Sequence, residues 1–557
     1  MKKVFGIWDG HDSGVAVVEG EKILYASNEE RFSRQKLEVG FPYLSFEDAV
    51  ACCGEPDEIV ISTTDPSKVL TRIFPCLGKN YYLFRRHRIA PSRFDSAKSW
   101  FKSFATQLPP MAGCAALTRF IIRRRTGFEK ISVRTIDHHE AHLRSAFFTS
   151  PFSSATVISL DGIGDACSGA VAVGTEGKME LITRISGRDS IALLYEEATR
   201  LLNLRELEDE GKVMALAAHA DLGEDERSVL DEVIEISDLN GISVKVNRNA
   251  YRRLKECLWR RGPERFAAMV QRMTERAVIA LVKAAVKMTG ITNVAVAGGL
   301  FSNVRINRLL REKLFEDKLS DIWVFPNMGD GGLALGAALD EQISIQPFLG
   351  AEIDCDRAVA IARERGLNVR NTSLEKAAER IAKGESIGWV NGRMEYGPRA
   401  LGARSILARP DDRTIRDRLN LAQKKRVFFQ PFCPTLTHLE AERSLLNYDG
   451  RDERWMTSLY GTNAGGSKRL EGVIGPDGSC RPQILSKTPE TLEEKVFLEL
   501  VLEVEKKIGI GGVLNTSFNI HGDPIVRTES DAIDAFLRSG LSSLVIGGKI
   551  EIIRNDD

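Results

Sequence analysis

The sequence predicts an α/β protein of two domains, and three observations predict it. The chain has 557 residues, more than one hydrophobic core accommodates. A grammar of apolar run, Asp-Gly loop, apolar run, turn and apolar run occurs twice, about 152 residues apart, which reads as an internal duplication. Later strands end in Gly/Asp loops that open helices, as in α/β nucleotide folds.

The elements follow in order. Val4–Trp8 is an apolar strand ending at Asp9-Gly10, and Gly14–Val18 and Ile23–Ala26 follow across a Glu19-Gly20-Glu21 turn. The second copy is Ala155–Leu160, the loop Asp161-Gly162-Ile163-Gly164-Asp165, Gly169–Val173, a Gly174–Gly177 turn and Met179–Ile185. Ala192–Leu204 and Arg265–Thr289 read as helices. Val294–Ala297 is a buried strand before Gly298-Gly299. Asp321–Phe325 leads into Gly329-Asp330-Gly331-Gly332 and an Ala/Leu helix over Leu333–Leu339. Residues 341–355 lack periodicity and read as a linker. A second α/β unit runs from Leu374: helix Leu374–Lys383, strand Ser386–Val390, the Gly/Arg run Asn391–Ser405, Gly512–Asn519, a helix near Asp531–Ser539 and a last strand at Ser543–Ile546.

Composition narrows the function. Lys+Arg and Asp+Glu are 77 each, which argues against a general nucleic-acid coat. No apolar run reaches about 18 residues, so no transmembrane segment is expected. Nine cysteines without a CxxC pair point to a reducing, cytoplasmic setting rather than a disulfide framework. Residues 79–130 carry twelve Lys/Arg and two acids, with Trp100, Phe101, Phe104 and Leu108 on a rough helical face. A solvated helical insert is the plain reading. The sharper one is a peripheral contact that guides an anionic or lipid-linked acceptor.

Three of the eight histidines fall in Asp137-His138-His139-Glu140-Ala141-His142. On a helix His138 and His142 share a face with metal-ligand spacing, and Asp330 is the candidate carboxylate partner. The paired loops at Asp9 and at Asp161-Gly162 suit phosphate or Mg²⁺. Gly298-Gly299 before Asn303 suits a nucleotide cradle or close strand–helix packing. The strongest anion signal is C-terminal, where Arg393, Arg399, Arg404, Lys424, Lys425, Arg426 and Arg481 lie among Gly, Ser and Asn. There is no GxxxxGK[ST] and no GxSxG.

Further motifs stand in fixed order: Gly10-His11-Asp12-Ser13, Glu29-Glu30-Arg31-Phe32-Ser33, Glu210-Gly211-Lys212-Val213-Met214, Gly329 to Ala338, Gly392 to Gly402, Arg404-Ser405-Ile406-Leu407 and Asn515-Thr516-Ser517-Phe518-Asn519. With the histidine cluster and the Gly loops, they make the chain resemble, over nearly its whole length, the O-carbamoyltransferase family of nodulation protein NodU and cephalosporin carbamoyltransferase. The resemblance implies a duplicated actin/hexokinase-like (ASKHA) domain over 1–345 and a YrdC-like domain over 346–557. It implies that the second domain makes carbamoyl-adenylate from carbamoyl phosphate and ATP with Mg²⁺. The first then transfers the carbamoyl group to a hydroxyl of a small-molecule or sugar acceptor, with Fe²⁺ at the histidine motif.

Site roles follow from that reading. His11, beside Asp12, would take the acceptor proton. Arg399, Lys424 and Arg481 would offset the charge of two phosphate-bearing substrates. Asp9, Asp161, Gly162, Lys212, Gly298, Gly299 and Asn303 would serve nucleotide or carbamoyl-adenylate in the first domain. Arg393, Glu395, Arg404, Ser405, Arg426, Asn515, Ser517 and Asn519 would do so in the second, and His138, His142 and Asp330 would hold the metal. The family pattern is broken at Val427, Gln430 and Gly475, where it has Glu, Arg and His. One lost charged hydrogen bond costs about 1.5–3 kcal/mol, so weaker carbamoyl-phosphate binding or another donor is expected. Two other readings are a threonylcarbamoyl transferase acting on tRNA and a non-catalytic nucleotide-binding protein with a decayed synthase half.

Overall fold

β1 (Lys3–Trp8), β2 (Gly14–Glu19) and β3 (Lys22–Asn28) form an antiparallel meander, and β4 (Glu58–Ser62) and β5 (Ser132–Ile136) continue parallel to β1. The sheet order is β3-β2-β1-β4-β5. β6 (Ser154–Gly164), β7 (Cys167–Thr175) and β8 (Lys178–Ser186) repeat the meander. After a separate hairpin of β9 (Ile234–Ser237) and β10 (Ser243–Val246), β11 (Asn293–Ala297) and β12 (Asp321–Val324) lie parallel to β6, in the order β12-β11-β6-β7-β8. One topology is thus built twice, and the fold is mixed α/β. This computed structural model describes residues 1–63, 65–87, 108, 112–223, 229–238, 242–316, 321–423, 429–520 and 522–555. They divide into two compact units, Met1–Ser33 with Leu37–Ile345 and Arg34–Lys36 with Gln346–Asp557.

In the first unit Phe5 and Ile7 of β1 share a core with Val15, Val17, Ile59 and Ile61. Residues between them face the other way, and there Gly6 is needed. A Cβ on Gly6 would stand 1.9 Å from the Ala334 carbonyl oxygen, and one on Gly336 would stand 1.9 Å from that of Ala141. Small residues therefore let the helix Leu333–Ala338 press against β1 on one side and the helix His138–Phe148 on the other. That packing carries Asp330, just before the helix, to the histidines.

The second unit holds an eight-stranded mixed sheet. Its strands in spatial order are Asn368–Asn371, Ile550–Ile553, Ser543–Ile546, Ile387–Val390, Arg404–Ala408, Gly512–Ser517, Cys433–Leu436 and Gln483–Ile484. Two sequence expectations are corrected here. Residues 341–355 contain the strand Phe348–Glu352, which pairs antiparallel with Arg393–Glu395; five residues are too few to show a period. Ser543–Ile546 is not the last strand, because Gly547-Gly548 turn the chain into Ile550–Ile553 at positive φ. The aromatic and basic residues at 88–107 fall outside the described residues, as do Lys424, Lys425, Arg426 and Val427. Among the described residues no helix is long and apolar enough to cross a membrane.

Candidate functional site

The helix His138–Phe148 begins at a well-made N-cap: Asp137 accepts the Glu140 amide at 3.0 Å, and Asp165 accepts the His138 amide at 2.8 Å. This fixes two buried imidazoles one turn apart. Ligand atoms of His138, His142, Asp161 and Asp330 all lie within 4.8 Å of one another. His138 Nε2 is 3.3 Å from Asp161 Oδ2 and 3.6 Å from Asp330 Oδ1, and His142 Nε2 is 3.9 and 3.6 Å from the same two oxygens. Four tetrahedral donors about 2.1 Å from one cation would stand roughly 3.4 Å apart. His142 Nε2 and Asp330 Oδ1 are buried without a hydrogen-bond partner, a costly arrangement that a cation would relieve. Two imidazoles and two carboxylates suit a divalent transition metal, and the residues fit one. Asp161, read from sequence as a phosphate-loop residue, stands in this cluster. His139 does not, because Ser159 Oγ and the Cys167 carbonyl hold its ring at 3.0 Å each.

The four side chains are strongly coupled. Burial opposes charge on His138, but Asp330 and the hydrogen-bonded Asp161 outweigh it and raise its pKa to about 9. Burial and the neighbouring His138 charge push His142 down to about 3. Burial lifts Asp330 to about 6, although the His11 charge pulls the other way. Burial would also lift Asp161, yet the His138 hydrogen bond and the two histidine charges hold it well below the usual carboxylate range.

The cluster opens into a cavity of about 370 Å³ within the first unit, lined by seven carboxylates and four Lys/Arg side chains together with Tyr81 and Tyr82. Ser190 Oγ donates towards the Gly162 carbonyl at 2.8 Å and caps the helix Ile191–Leu201. That helix brings Glu196 over Gly162, where a Cβ would lie 3.6 Å from Glu196 Oε1. Arg85 bonds both Glu196 and Glu206. Nothing in the local pattern marks Lys68, Arg85, Glu196 or Glu206 as site residues, because they come from three separate segments.

Several expected roles change in this unit. His11 faces Asp330 rather than its neighbour Asp12: its Nε2 is 3.2 Å from Asp330 Oδ2, and Asp12 turns the chain at φ +57°. Burial depresses the His11 pKa. Asp9 is not free to hold a cation, because Arg72 grips both its oxygens at 2.7 and 3.0 Å. Gly298 serves close packing, since a Cβ there would meet the Leu160 carbonyl oxygen at 2.1 Å. The Gly299 amide donates to Asp161 Oδ1 at 2.7 Å and so orients a cluster carboxylate. Asn303 exchanges hydrogen bonds with Gln271, and Lys212 pairs with Asp209 at 2.8 Å.

In the second unit the arginines divide sharply. Arg404 is fully buried, and its guanidinium donates to the carbonyls of Asn391, Gly392, Ala403 and Ala351. Glu395 accepts the amides of Leu401 and Arg404, Arg393 bonds the carbonyls of Leu349 and Gly350, and Asn515 bonds the Ala400 carbonyl and Thr435. Arg393 and Arg404 are framework, because their guanidiniums are spent on backbone carbonyls, whereas Glu395 Oε2 and Asn515 Oδ1 are buried without a hydrogen-bond partner among the described residues. Ser405 is buried in the sheet, and Ser517 and Asn519 bond one another at 2.9 Å. Arg399 makes no hydrogen bond among the described residues and has a buried Nε without a partner. Burial and the adjacent Arg481 charge depress its pKa. Arg481 donates to Cys433 Sγ at 2.9 Å. Two neighbouring guanidiniums without a carboxylate partner among the described residues could hold an anion.

A family model described as carbamoyltransferase N-terminus matches residues 3–339, and one described as carbamoyltransferase C-terminus matches residues 378–552. The chain is 30% identical over 572 residues to an uncharacterized protein of Methanocaldococcus jannaschii, covering 98% of each. It is 33% identical over 436 residues to the nodulation protein NolNO of Sinorhizobium fredii, covering 74% of this chain and 63% of that one. Full-length HypF in its phosphate- and nucleotide-bound form is similar at 13% identity and a TM-score of 0.35, over 61% of this chain and 46% of that one. With both family models matched in order and a relative covered end to end, the chain belongs to the carbamoyltransferase family.

Proposed function

We propose that this carbamoyltransferase is an ATP-dependent O-carbamoyltransferase whose transfer site is the cavity of the first unit. The observation that carries the reading is the buried His138–His142–Asp161–Asp330 cluster at the wall of a 370 Å³ cavity, in a chain that matches the family along its length. The second unit, with a YrdC-like role, makes carbamoyl-adenylate from carbamoyl phosphate and ATP. The uncompensated Arg399 and Arg481 receive the carbamoyl-bearing anion there. In the first unit the acceptor hydroxyl attacks the carbamoyl carbon, the bond from that carbon to the phosphate oxygen breaks, and AMP leaves. His11, neutral at pH 7 because burial depresses its pKa, takes the hydroxyl proton. A divalent metal on the cluster, Fe²⁺ by family resemblance, would supply Lewis acidity towards the carbonyl or phosphate oxygen. The cavity's excess of carboxylates favours a neutral or cationic hydroxyl compound over an anionic acceptor.

Pyrophosphate release from ATP and carbamoyl phosphate tests the first half without any acceptor. Release by the metal-loaded chain is expected to require carbamoyl phosphate and to fall at least tenfold in Arg399→Ala, given about 1.5–3 kcal/mol for a charged hydrogen bond. Absent release in folded, metal-loaded protein, or undiminished release in the variant, overturns the adenylation step.

A further inference from the structure

Among the described residues four cationic side chains line the cavity, and three are committed. Arg72 is bound to Asp9 and to the carbonyls of Ser62 and Thr63. Arg85 is shared by Glu196 and Glu206, and Arg125 donates to the Arg72 carbonyl. The fourth, Lys68, has no hydrogen bond from its ammonium among the described residues. Its nearest carboxylate oxygen is Asp9 Oδ1 at 3.8 Å, and Arg72 already neutralises that carboxylate. Asp65 makes its hydrogen bonds elsewhere, capping the helix Pro66–Ile73 through the Lys68 amide and accepting from the Ser67 and Thr63 hydroxyls, and attracts the ammonium only through space.

Lys68 Nζ instead lies 4.3 Å over the Trp8 ring, and that ring stands edge-on to His138 at 5.5 Å between centroids. The side chain is 13% exposed, and the exposed part faces the cavity it shares with His11 and Asp330. Burial depresses the Lys68 pKa, with the Asp9 charge opposing. A nearly buried ammonium that donates no hydrogen bond among the described residues, and whose nearest carboxylate is already held by Arg72, is costly unless an anion joins it.

We propose that Lys68 binds the phosphate of the adenylate in this cavity and stabilises the AMP that leaves. The inference rests on reading the cavity as the transfer site. In that step the acceptor oxygen bonds to the carbamoyl carbon and the carbon–oxygen bond to the phosphate breaks. The bonding pair stays on the phosphate oxygen, and the hydroxyl proton goes to His11. The phosphate thereby gains a second negative charge, and a fixed cation beside it favours the transition state over the bound adenylate. An ion-pair role for Lys68 in holding Asp9 predicts something different, a loss of stability without Lys68.

The test uses the full chain loaded with substoichiometric Mn²⁺, with uptake followed by the EPR signal of the free ion and AMP as the probe. Paramagnetic broadening of the AMP ³¹P line reports nucleotide beside the metal and is blind to any site far from it. Wild-type protein is expected to broaden the line. Lys68→Met should weaken AMP binding by a factor of ten to about a hundred, as loss of one charged hydrogen bond requires, with a melting temperature equal to or above wild type. Lys68→Arg should recover most of the affinity. Broadening in wild type with unchanged affinity in Lys68→Met overturns the inference and leaves the transfer site standing, as does a lower melting temperature with unchanged affinity. No broadening by wild-type protein with Mn²⁺ bound overturns the transfer-site reading itself, and the inference with it.

Discussion

Replacing Arg72 by Met should unfold the first unit more easily, and the structure sets the size of the effect. Arg72 and Asp9 are each 1% exposed at the side chain and joined by two short bonds. Arg72 also donates to Thr63 O at 2.8 Å, Thr118 Oγ1 at 2.9 Å and Ser62 O at 3.0 Å. Breaking a buried pair from one side costs about 3–5 kcal/mol, because a bare charge is left behind. Lys68, 3.8 Å from Asp9, would take over part of the pairing, which places the expected loss near the lower end, about 3 kcal/mol, or more than a hundredfold in the folding equilibrium. The assay is urea unfolding of chelator-treated protein by circular dichroism and tryptophan fluorescence, with the first-unit transition fitted separately. Asp9→Asn combined with Arg72→Met should recover much of the loss, since no unpaired charge remains. A single-variant loss below about 1 kcal/mol, or a double variant no better than the single, would refute the view that Asp9 is a structural carboxylate and reopen it as a cation ligand.

Two further outcomes follow from the packing and the charges. Gly336→Val places a side chain 1.9 Å from the Ala141 carbonyl oxygen, so it should cost at least 1–3 kcal/mol and weaken Mn²⁺ binding by moving Asp330 off the histidines; isothermal titration showing unchanged affinity would contradict this. Burial raises Glu196 from 4.5 to about 7, with Arg85 opposing and Glu206 and Asp161 adding to the rise. A raised acid contributes its stability fully below the unfolded value near 4.5 and loses it as pH climbs through about 7. Wild type should therefore lose up to roughly 3 kcal/mol relative to Glu196→Gln across that window, and parallel pH–stability curves for the two proteins would exclude the raised carboxyl.

Much of the architecture was legible because it is local. Asp-Gly loops between apolar runs give the two meanders, since both signals lie within a few residues of each other. His138 and His142 were legible for the same reason, as four residues make one helical turn. Asp330 came with them because its Gly-rich loop opens a helix. The strand at Phe348–Glu352 was missed because it is short, and the final strand because Gly547-Gly548 resemble an end rather than a hairpin.

What the sequence alone determined is therefore the duplicated α/β plan, the family and the two histidines. Only the tertiary structure decided which polar residues are free. Asp9 and Asp161 carry the same Asp-Gly signature at equivalent places in the two meanders, yet Asp9 meets Arg72, 63 residues away, and Asp161, still within β6, meets two imidazoles. Arg399 and Arg404 stand five residues apart in one run, yet Arg404 is consumed by carbonyls and Arg399 makes no hydrogen bond among the described residues. Lys68 carries no motif at all. Residue type and spacing report local conformation. Whether a charged group is spent or available depends on partners brought from distant segments and on the water that packing removes, and neither is written in the neighbouring residues.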